Sequence, residues 1–375
     1  MTPKISIILT SYNHEQFIRE SIESVLNQSY PHFELLILDD HSTDESWSII
    51  QSYHDSRIHT YQNATNFGTC YIKEAFGDFP LGAYIAVTHS DDIWEQDKLE
   101  KQVHLLENHQ EYATVFSHAK IINEKGEDYR NTRNFYYAIF NQPNRSRHEW
   151  LRYFFMRGNV LCNPSAMMRK QPFLELNTYK GLYQLSDMSL WVQLCLLYEI
   201  HVIQEKLVRF RVRDDAANMS GNRPETRIRH RFEITRILDF YKQINSTKDL
   251  LAIFPEAQRY LHQNNKDILY ALGKVAVEIS PEKTIQLFGL NLLYDALNDD
   301  TRASKLEKYQ QFNLKEFVKL TGNIDVFSNE LIHTLTQEID KGKEKELFYS
   351  KSRSWRFTEP LRNLMRHWRN AIRKN

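Results

Sequence analysis

Two adjacent carboxylates follow a short apolar segment of the chain, in the run HSDDIW at residues 89–94. The preceding residues 83–88 (AYIAVT) have the composition of a buried strand. Ligands of open α/β sheets collect outside the carboxyl ends of the strands, and neighbouring carboxylates repel each other unless a cation or proton lies between them. Since Mg²⁺ prefers one or two carboxylates plus phosphate oxygens, Asp91 and Asp92 are predicted to hold a divalent ion and a phosphate. The alternative is a solvated turn whose Asp caps the next helix.

Two further polar loops follow the first two strand-like segments. The motif TSYN (residues 10–13) comes after one apolar run, and DDHSTD (residues 39–44) comes after the next. An Asp can accept a hydrogen bond from a nucleobase imide or a ribose hydroxyl, and the Tyr12 ring can stack on a base. Three such loops at one sheet edge predict a nucleotide pocket. Each loop also has a local explanation, as a helix cap at Asn13 or as a turn in the second motif.

The elements that must position these loops alternate along the first half of the chain. Apolar, strand-like runs occur at residues 5–9, 34–38, 58–61, 83–88, 113–123 and 202–212, and helical patterns at 17–26, 46–53, 70–76 and 190–198. Continuous apolar runs that alternate with helices predict a mostly parallel, Rossmann-like sheet covered on both faces, which is the α/β class. Residues 128–148 are polar and aromatic without periodicity, and they are predicted to form a mobile loop over the site.

The pattern changes near residue 222, where strand signals end and long helical patterns begin. A chain of 375 residues is also long for one domain. We therefore predict an α/β domain at residues 1–221, a helical region at 222–350 and a basic C-terminal segment at 351–375. The helical region shows no clear heptad, so the oligomeric state stays open.

Composition excludes few classes of protein. Lys+Arg and Asp+Glu balance at 48 each, and the hydrophobic and charged fractions, 41% and 26%, are ordinary. The three cysteines, Cys70, Cys162 and Cys195, show no metal-ligand spacing and no disulfide framework. They indicate a reducing, cytoplasmic location. The chain shows neither a signal segment nor an apolar stretch of membrane-spanning length.

The C-terminal segment is strongly basic, with eight Lys or Arg and one acid, Glu359, between Lys351 and Lys374. Its apolar residues share one helical face and its arginines a neighbouring one. A basic amphipathic helix containing Trp368 predicts contact with an anionic membrane surface. The alternatives are a helix packed on the protein and, more weakly, a nucleic-acid contact. We expect no nucleic-acid partner, because no aromatic–basic platform accompanies the charges.

The order of these motifs resembles the inverting glycosyltransferases of family 2, which have the nucleotide-sugar-binding GT-A fold. The similarity covers about residues 4–215 and includes the motifs SIILTSYN, LDDHSTD, NFG, SDD and DKL. It implies that the first two loops hold the nucleoside and that the aspartates after the fourth strand hold the ribose and the metal–diphosphate. The nucleotide-binding residues implied are Thr10, Tyr12, Asn13, Asp40, Asn66, Gly68 and Asp91. The implied cofactor is Mn²⁺ or Mg²⁺, and a UDP-sugar is the commonest donor, with dTDP and GDP donors left open.

The resemblance also implies a general base in the run LSDMSLW at residues 185–191. Family members often have Glu-Asp where this chain has Ser186-Asp187. Asp187 is the predicted base, which would deprotonate an acceptor hydroxyl as that oxygen attacks the anomeric carbon. The alternative, a cap of the following helix, is compatible with that role.

Two positions depart from the family pattern. His89 stands where Asp is common, and it can ligate the metal or touch ribose. Arg213, in the run RVRD at residues 211–214, stands where the family often has a His ligand. Arg cannot bind a metal but binds phosphate bidentately, so Arg213 or Arg211 is predicted to supply charge to the leaving diphosphate, with a weaker dependence on metal.

The run SRSWRFTEPLR at residues 352–362 resembles the ends of bacterial surface-polysaccharide glycosyltransferases. That resemblance implies a glycan or lipid-linked glycan acceptor at the inner face of the cell membrane. The alternative function is a catalytically impaired nucleotide-sugar-binding or interaction protein. A dinucleotide oxidoreductase would need Gly-x-Gly-x-x-Gly after the first strand, where this chain has TSYN.

Overall fold

A computed structural model of the chain describes residues 4–68, 79, 81–176, 181–213, 218, 220–351 and 365, with side chains except at 349–351. Within these residues, eight strands form one mixed sheet in the order β3-β2-β1-β4-β7-β6-β8-β5. The strands are β1 (Ile5–Ser11), β2 (Phe33–Asp39), β3 (Ile58–Gln62), β4 (Tyr84–His89), β5 (Ile93–Trp94), β6 (Tyr112–Ile122), β7 (Met167–Arg169) and β8 (Glu199–Arg211). The predicted α/β class is confirmed.

The half of the sheet that carries the polar loops is parallel. β1 pairs in parallel with β2 and β4, and β2 with β3. β1 and β2 are buried along almost their whole length, which is why both read as continuous apolar runs. The antiparallel strands β5 and β7 have only two and three residues, so their sequences carry no readable period.

Helices cover both faces of the sheet and then form the C-terminal region. They are α1 (Ile18–Leu26), α2 (Ser46–Gln51), α3 (Lys98–Asn108), α4 (Tyr136–Ile139), α5 (Arg147–Arg157), α6 (Lys170–Glu175), α7 (Ser186–Leu197), α8 (Pro224–Leu238), α9 (Thr247–Ile253), α10 (Ile268–Ile279), α11 (Lys283–Leu297), α12 (Asp300–Gln310), α13 (Leu314–Asn323) and α14 (Asn329–Lys351). Short 3₁₀ turns interrupt them at Asn163–Ser165, Asp239–Gln243 and Pro255–Tyr260.

The helical region shares a hydrophobic core with the α/β part. One cluster of buried side chains contains Trp150 of α5 and Trp191 of α7 together with Tyr241 and Phe288 of the later helices. The core therefore runs across the predicted boundary at residue 221, although the change to helices begins there, with α8. Residues that follow this boundary can influence the position of α7.

Several predictions concern loops and termini. Residues 128–148 contain the short α4, and Tyr136 on it hydrogen-bonds Ser220 and packs on Phe210. Most of the basic segment 351–375, the predicted helix near 70–76 and Cys70 lie outside the described residues. Cys162 and Cys195 are buried free thiols. None of the described helices is both long and apolar enough to cross a membrane.

Candidate active site

The three polar loops meet at one edge because their strands are parallel and in register. Ser11 pairs with Asp39 across β1 and β2, and Thr10 pairs with His89 across β1 and β4. Neighbouring strands lie about 4.8 Å apart, so the three strands end side by side. The backbone N–H of Ser90 also donates to the Thr10 carbonyl at 3.1 Å. The expected juxtaposition of the three loops is present.

The first two loops are cross-linked through Asn13. Its backbone N–H donates to Ser42 Oγ at 2.9 Å, and its side-chain oxygen accepts from the Thr43 N–H at 2.8 Å. Asn13 has a positive φ of 51°, which Asn tolerates better than most residues. The ring of Tyr12 next to it is 43% exposed. The hydrogen bonds of Asn13 therefore leave the ring of Tyr12 exposed at the predicted nucleoside position.

Asp40 holds the loop that carries Asn66 and Gly68. Its carboxylate is buried and accepts from Asn63 Nδ2 at 2.6 Å and from the backbone N–H groups of Phe67 and Gly68 at 3.0 and 2.9 Å. Asn66 Oδ1 accepts from the same Gly68 N–H at 2.8 Å. These bonds use most of the acceptor capacity of Asp40. In the structure Asp40 shapes a wall of the predicted pocket.

The predicted metal ligands form a compact cluster. One ligand atom from each of His89, Asp91 and Asp92 lies within 4.8 Å of the others. Asp92 is buried, and its Oδ1 accepts from the backbone N–H of Arg211 at 2.9 Å. Within the part of the chain that the structure describes, its Oδ2 is buried without a hydrogen-bond partner, and burial and the charge of Asp91 raise the pKa of Asp92. A buried carboxylate oxygen without a partner is costly, so a divalent cation fits this cluster.

The imidazole of His89 faces the carboxylates of the cluster. Burial lowers the pKa of its imidazole, so the ring is neutral at neutral pH. Asn163 Nδ2 lies 3.1 Å from its Nε2, while its Nδ1 faces Asp92 Oδ2 at 3.8 Å. With the Asn163 amide nitrogen donating to Nε2, the proton of the neutral ring lies on Nδ1. A metal bound at Nδ1 would require the proton on Nε2 instead, donated to the side-chain oxygen of Asn163.

The two predicted phosphate-binding arginines have different surroundings. Arg211 is 1% exposed, and its guanidinium donates to Glu20 and to the backbone carbonyls of Asp91, Asn123 and Glu124. It lies beneath the carboxylate cluster and fixes the backbone there. In the structure, the guanidinium N–H groups of Arg211 donate to these protein acceptors.

Arg213 belongs to a chain of polar groups that leads to the cluster. Its Nη1 donates to His14 Nε2 at 3.0 Å, and its Nε is buried without a hydrogen-bond partner among the described residues. Because Arg is always a donor, His14 must carry its proton on Nδ1, which lies 2.7 Å from Ser90 Oγ. Burial lowers the pKa of His14, which favours this neutral form. Sequence reasoning missed His14, although it directly follows the TSYN motif.

The predicted base, Asp187, is the second residue of α7 and is half-buried. Asn159 Nδ2 donates to its Oδ2 at 2.7 Å, and the Met188 N–H donates to its Oδ1. Burial outweighs these bonds and raises the pKa of Asp187 to about 6. At neutral pH the group is therefore ionised and more basic than an ordinary carboxylate, which suits a general base.

One loop connects Asp187 to the metal-ligand cluster. Asn159 contacts Asp187 and Asn163 contacts His89, and the two amides are four residues apart. Four residues span at most about 14 Å, so the base candidate and the carboxylate cluster are held by neighbouring parts of one loop. Both Asn residues escaped sequence reasoning, because an isolated amide carries no motif.

Comparison with known proteins agrees with this arrangement. The family model described as "Glycosyl transferase family 2" matches residues 6–175. The chain is 26% identical over 216 residues to "Uncharacterized glycosyltransferase MJ1057" of Methanocaldococcus jannaschii, which covers 56% of this chain and 71% of that protein. It is 36% identical over 121 residues to an Escherichia coli protein named UDP-Glc:alpha-D-GlcNAc-diphosphoundecaprenol beta-1,3-glucosyltransferase WfaP. That match covers 32% of this chain and less than half, 47%, of WfaP.

Among solved structures, S. aureus TarS 1–349 in complex with UDP-GlcNAc has the same fold. The TM-score is 0.54 at 18% identity, and the match covers 81% of this chain and 91% of that one. The aligned length exceeds the α/β part, so it extends into the helical region.

Proposed function

We propose that this chain, whose residues 6–175 match the model of glycosyl transferase family 2, transfers a sugar from a nucleoside-diphosphate donor to a hydroxyl group of a glycan. One observation supports this function above the others. A carboxylate cluster with a buried, unsatisfied oxygen lies at the sheet edge, and a carboxyl group with a pKa of about 6 shares a connecting loop with it.

The proposed donor is a UDP-sugar. The exposed ring of Tyr12 and the loops at Thr10, Asn13 and Asn66 would take the nucleoside, as predicted from the sequence. WfaP is named as a glucosyltransferase that uses UDP-Glc, and TarS was solved with UDP-GlcNAc, which supports UDP for this chain. Asp91, Asp92 and His89 would hold Mn²⁺ or Mg²⁺, which when bound would offset the charge of the diphosphate.

Asp187 is the proposed general base, and the transfer inverts the anomeric centre. Its carboxylate takes the proton of the acceptor hydroxyl while that oxygen bonds to the anomeric carbon. The bond from this carbon to the diphosphate oxygen breaks on the opposite face, and its electron pair leaves with the nucleoside diphosphate. Arg213, oriented by His14, supplies positive charge towards that leaving group.

The proposed acceptor is a glycan of bacterial surface polysaccharide synthesis, carried on a lipid. WfaP is named for a diphosphoundecaprenol-linked sugar, which supports a lipid-linked acceptor here. We propose that the protein is cytoplasmic and peripheral to the inner face of the membrane, with the basic segment 351–375 in contact with anionic lipid.

The test is a transfer assay with the full chain, Mn²⁺, UDP-glucose or UDP-GlcNAc, and polyprenyl-diphosphate-linked GlcNAc. We expect UDP release coupled to a new glycosidic linkage, with the anomeric configuration inverted in the product's NMR spectrum. Asp187→Asn should lower transfer by about 10²–10⁴-fold and leave stabilisation by UDP unchanged. Retained configuration, or full activity of Asp187→Asn, contradicts the mechanism; failure of every donor to bind contradicts the function.

A further inference from the structure

Glu233 lies on α8, beyond the residues that match the family model, and it is 1% exposed. Its carboxylate accepts hydrogen bonds from three consecutive backbone N–H groups. The distances are 3.0 Å from Tyr183, 2.9 Å from Gln184 and 2.7 Å from Leu185. A single buried side chain thus holds a whole loop by its backbone.

The loop that Glu233 holds leads directly into α7. The N-terminal N–H groups of a helix lack partners within the helix, and its N-terminus attracts negative charge. Leu185 occupies the cap position of α7 and has no side chain that could accept. Glu233, 48 residues further along the chain, supplies the missing carboxylate to the N–H of Leu185. Asp187 is two residues beyond this contact.

The same helix also supports the donor side of the pocket. Arg229, one turn before Glu233, lies over the ring of Tyr183 at 5.0 Å. The edge of that ring lies 3.1 Å from the point where a Cβ atom on Gly68 would stand. Gly68 belongs to the loop that Asp40 holds. α8 therefore contacts Tyr183, whose ring lies beside the proposed donor wall, and Leu185, two residues before the proposed base.

We propose that Glu233 is a positioning residue for the transfer reaction, and that it fixes residues 183–187 so that the Asp187 carboxylate faces the acceptor hydroxyl. This inference rests on the proposed role of Asp187. It gives the helical region a part in the active site, because the residue that orients the base comes from α8.

A second consequence is electrostatic. The groups that act on Asp187 are the Asn159 amide, the Met188 N–H and, from α8, the charge of Glu233, which contributes to raising the pKa of Asp187. Removing that charge lowers the pKa of the base. The acidic limb of the pH–rate profile then moves to lower pH, which a purely structural role of Glu233 does not require.

The test uses the full chain and three variants. Glu233→Gln removes the charge and turns amide hydrogens towards the backbone donors, Glu233→Asp keeps the charge, and Glu225→Gln is the control. Glu225 lies on the same helix, but its side chain is 57% exposed and its ion pair, with Arg223, is local. Measured for each are kcat, the pH–rate profile, the UDP affinity with Mn²⁺, and hydrogen exchange of the amides of residues 183–185.

We expect Glu233→Gln to lower kcat by about 10²-fold, because small displacements of a reacting group cost that much. Its UDP affinity should stay within about twofold, its acidic limb should move to lower pH, and the three amides should exchange faster. Glu233→Asp should have a kcat between those of Glu233→Gln and the wild type, with the acidic limb of its pH–rate profile at the wild-type pH. Glu225→Gln should match the wild type in every measurement.

Wild-type kcat and pH profile in Glu233→Gln overturn the proposal. The proposal is also overturned if Glu233→Gln loses kcat and UDP affinity equally while the acidic limb of its pH–rate profile does not move. That combination indicates general misfolding. If Glu233→Gln does not fold, a wild-type kcat and unchanged exchange in Glu233→Asp overturn it equally. Hydrogen exchange needs no substrate, so it distinguishes failure of this contact from failure of the proposed function, in which the wild type itself transfers no sugar.

Discussion

Substitution of Gly289 by Ala tests how closely the two central helices of the C-terminal region pack. α10 and α11 contact each other at a pair of glycines. A Cβ atom on Gly289 would stand 2.7 Å from the backbone oxygen of Gly273, 2.9 Å from Val277 Cγ2 and 3.0 Å from the Cβ of Ala276. The first of these atoms belongs to a helix backbone and cannot rotate away.

The magnitude follows from two opposing effects. Forcing a methyl group into a filled core costs about 1–3 kcal/mol, and the rigid backbone neighbour places Gly289→Ala at the upper end. Replacing Gly by Ala in a helix interior returns about 1 kcal/mol. The net loss in free energy of unfolding is about 2 kcal/mol, and the melting temperature of this 375-residue chain falls by roughly 2–4 °C. At Gly273 the three nearest contacts, at 3.1–3.2 Å, are less severe, so Gly273→Ala should cost less.

Matched controls separate the clash from the helix-propensity gain. Gly322 in α13 and Gly342 in α14 have no described atom within 4 Å of an added Cβ, apart from chain neighbours and the backbone of the same helix. Gly322→Ala and Gly342→Ala should be neutral or stabilising by up to about 1 kcal/mol. Thermal unfolding followed by circular dichroism gives the ranking. A Gly289→Ala protein as stable as Gly342→Ala would refute the close approach of the two helices.

Three further predictions concern the proposed site. Asn159→Ala removes a hydrogen bond that favours ionised Asp187, so the pKa of Asp187 should rise further above its ordinary value. The acidic limb of the pH–kcat profile should then move to higher pH. An acidic limb at the wild-type pH would count against Asp187 as the base. Arg213→Ala should cut turnover sharply, whereas Arg213→Lys, which keeps the charge, should retain part of the turnover. Equal turnover in both variants and the wild type would contradict the proposal that Arg213 stabilises the leaving diphosphate. Asp92→Asn removes a buried carboxylate whose Oδ2 has no partner among the described residues. Without metal, the melting temperature of this variant should therefore equal or exceed that of the wild type, whereas stabilisation by Mn²⁺ should disappear. Persistence of the stabilisation by Mn²⁺ would argue against Asp92 as a metal ligand.

The sequence predicted the parts of the fold that repeat a strong local pattern. β1, β2 and β4 are long, apolar and parallel, and the polar residues that follow them had to meet at one edge. The family resemblance, the α/β fold and the helical C-terminal region are confirmed. The short strands β5 and β7 could not be predicted, because two or three residues show no period.

The supporting groups of the site were beyond sequence reasoning for a different reason. Asn159 and Asn163 act through single side-chain hydrogen bonds to partners 28 and 74 residues away, and Glu233 through the backbone of a loop 48–50 residues away. Such pairs depend on tertiary packing rather than on local pattern. Arg211 shows the converse: its motif predicted a phosphate contact, while the structure surrounds its guanidinium with protein acceptors.

The most direct test of the proposed donor site is calorimetric titration of UDP into the wild type, Asp91→Asn and Asp187→Asn, each with and without Mn²⁺. Asp91 belongs to the metal-ligand cluster, whereas Asp187 is assigned to the acceptor side. We expect Mn²⁺ to tighten UDP binding to the wild type and to Asp187→Asn equally, and to have no effect on Asp91→Asn. Metal-dependent UDP binding that survives in Asp91→Asn, or the absence of UDP binding to the wild type, would contradict the assignment of the sheet edge as the donor site.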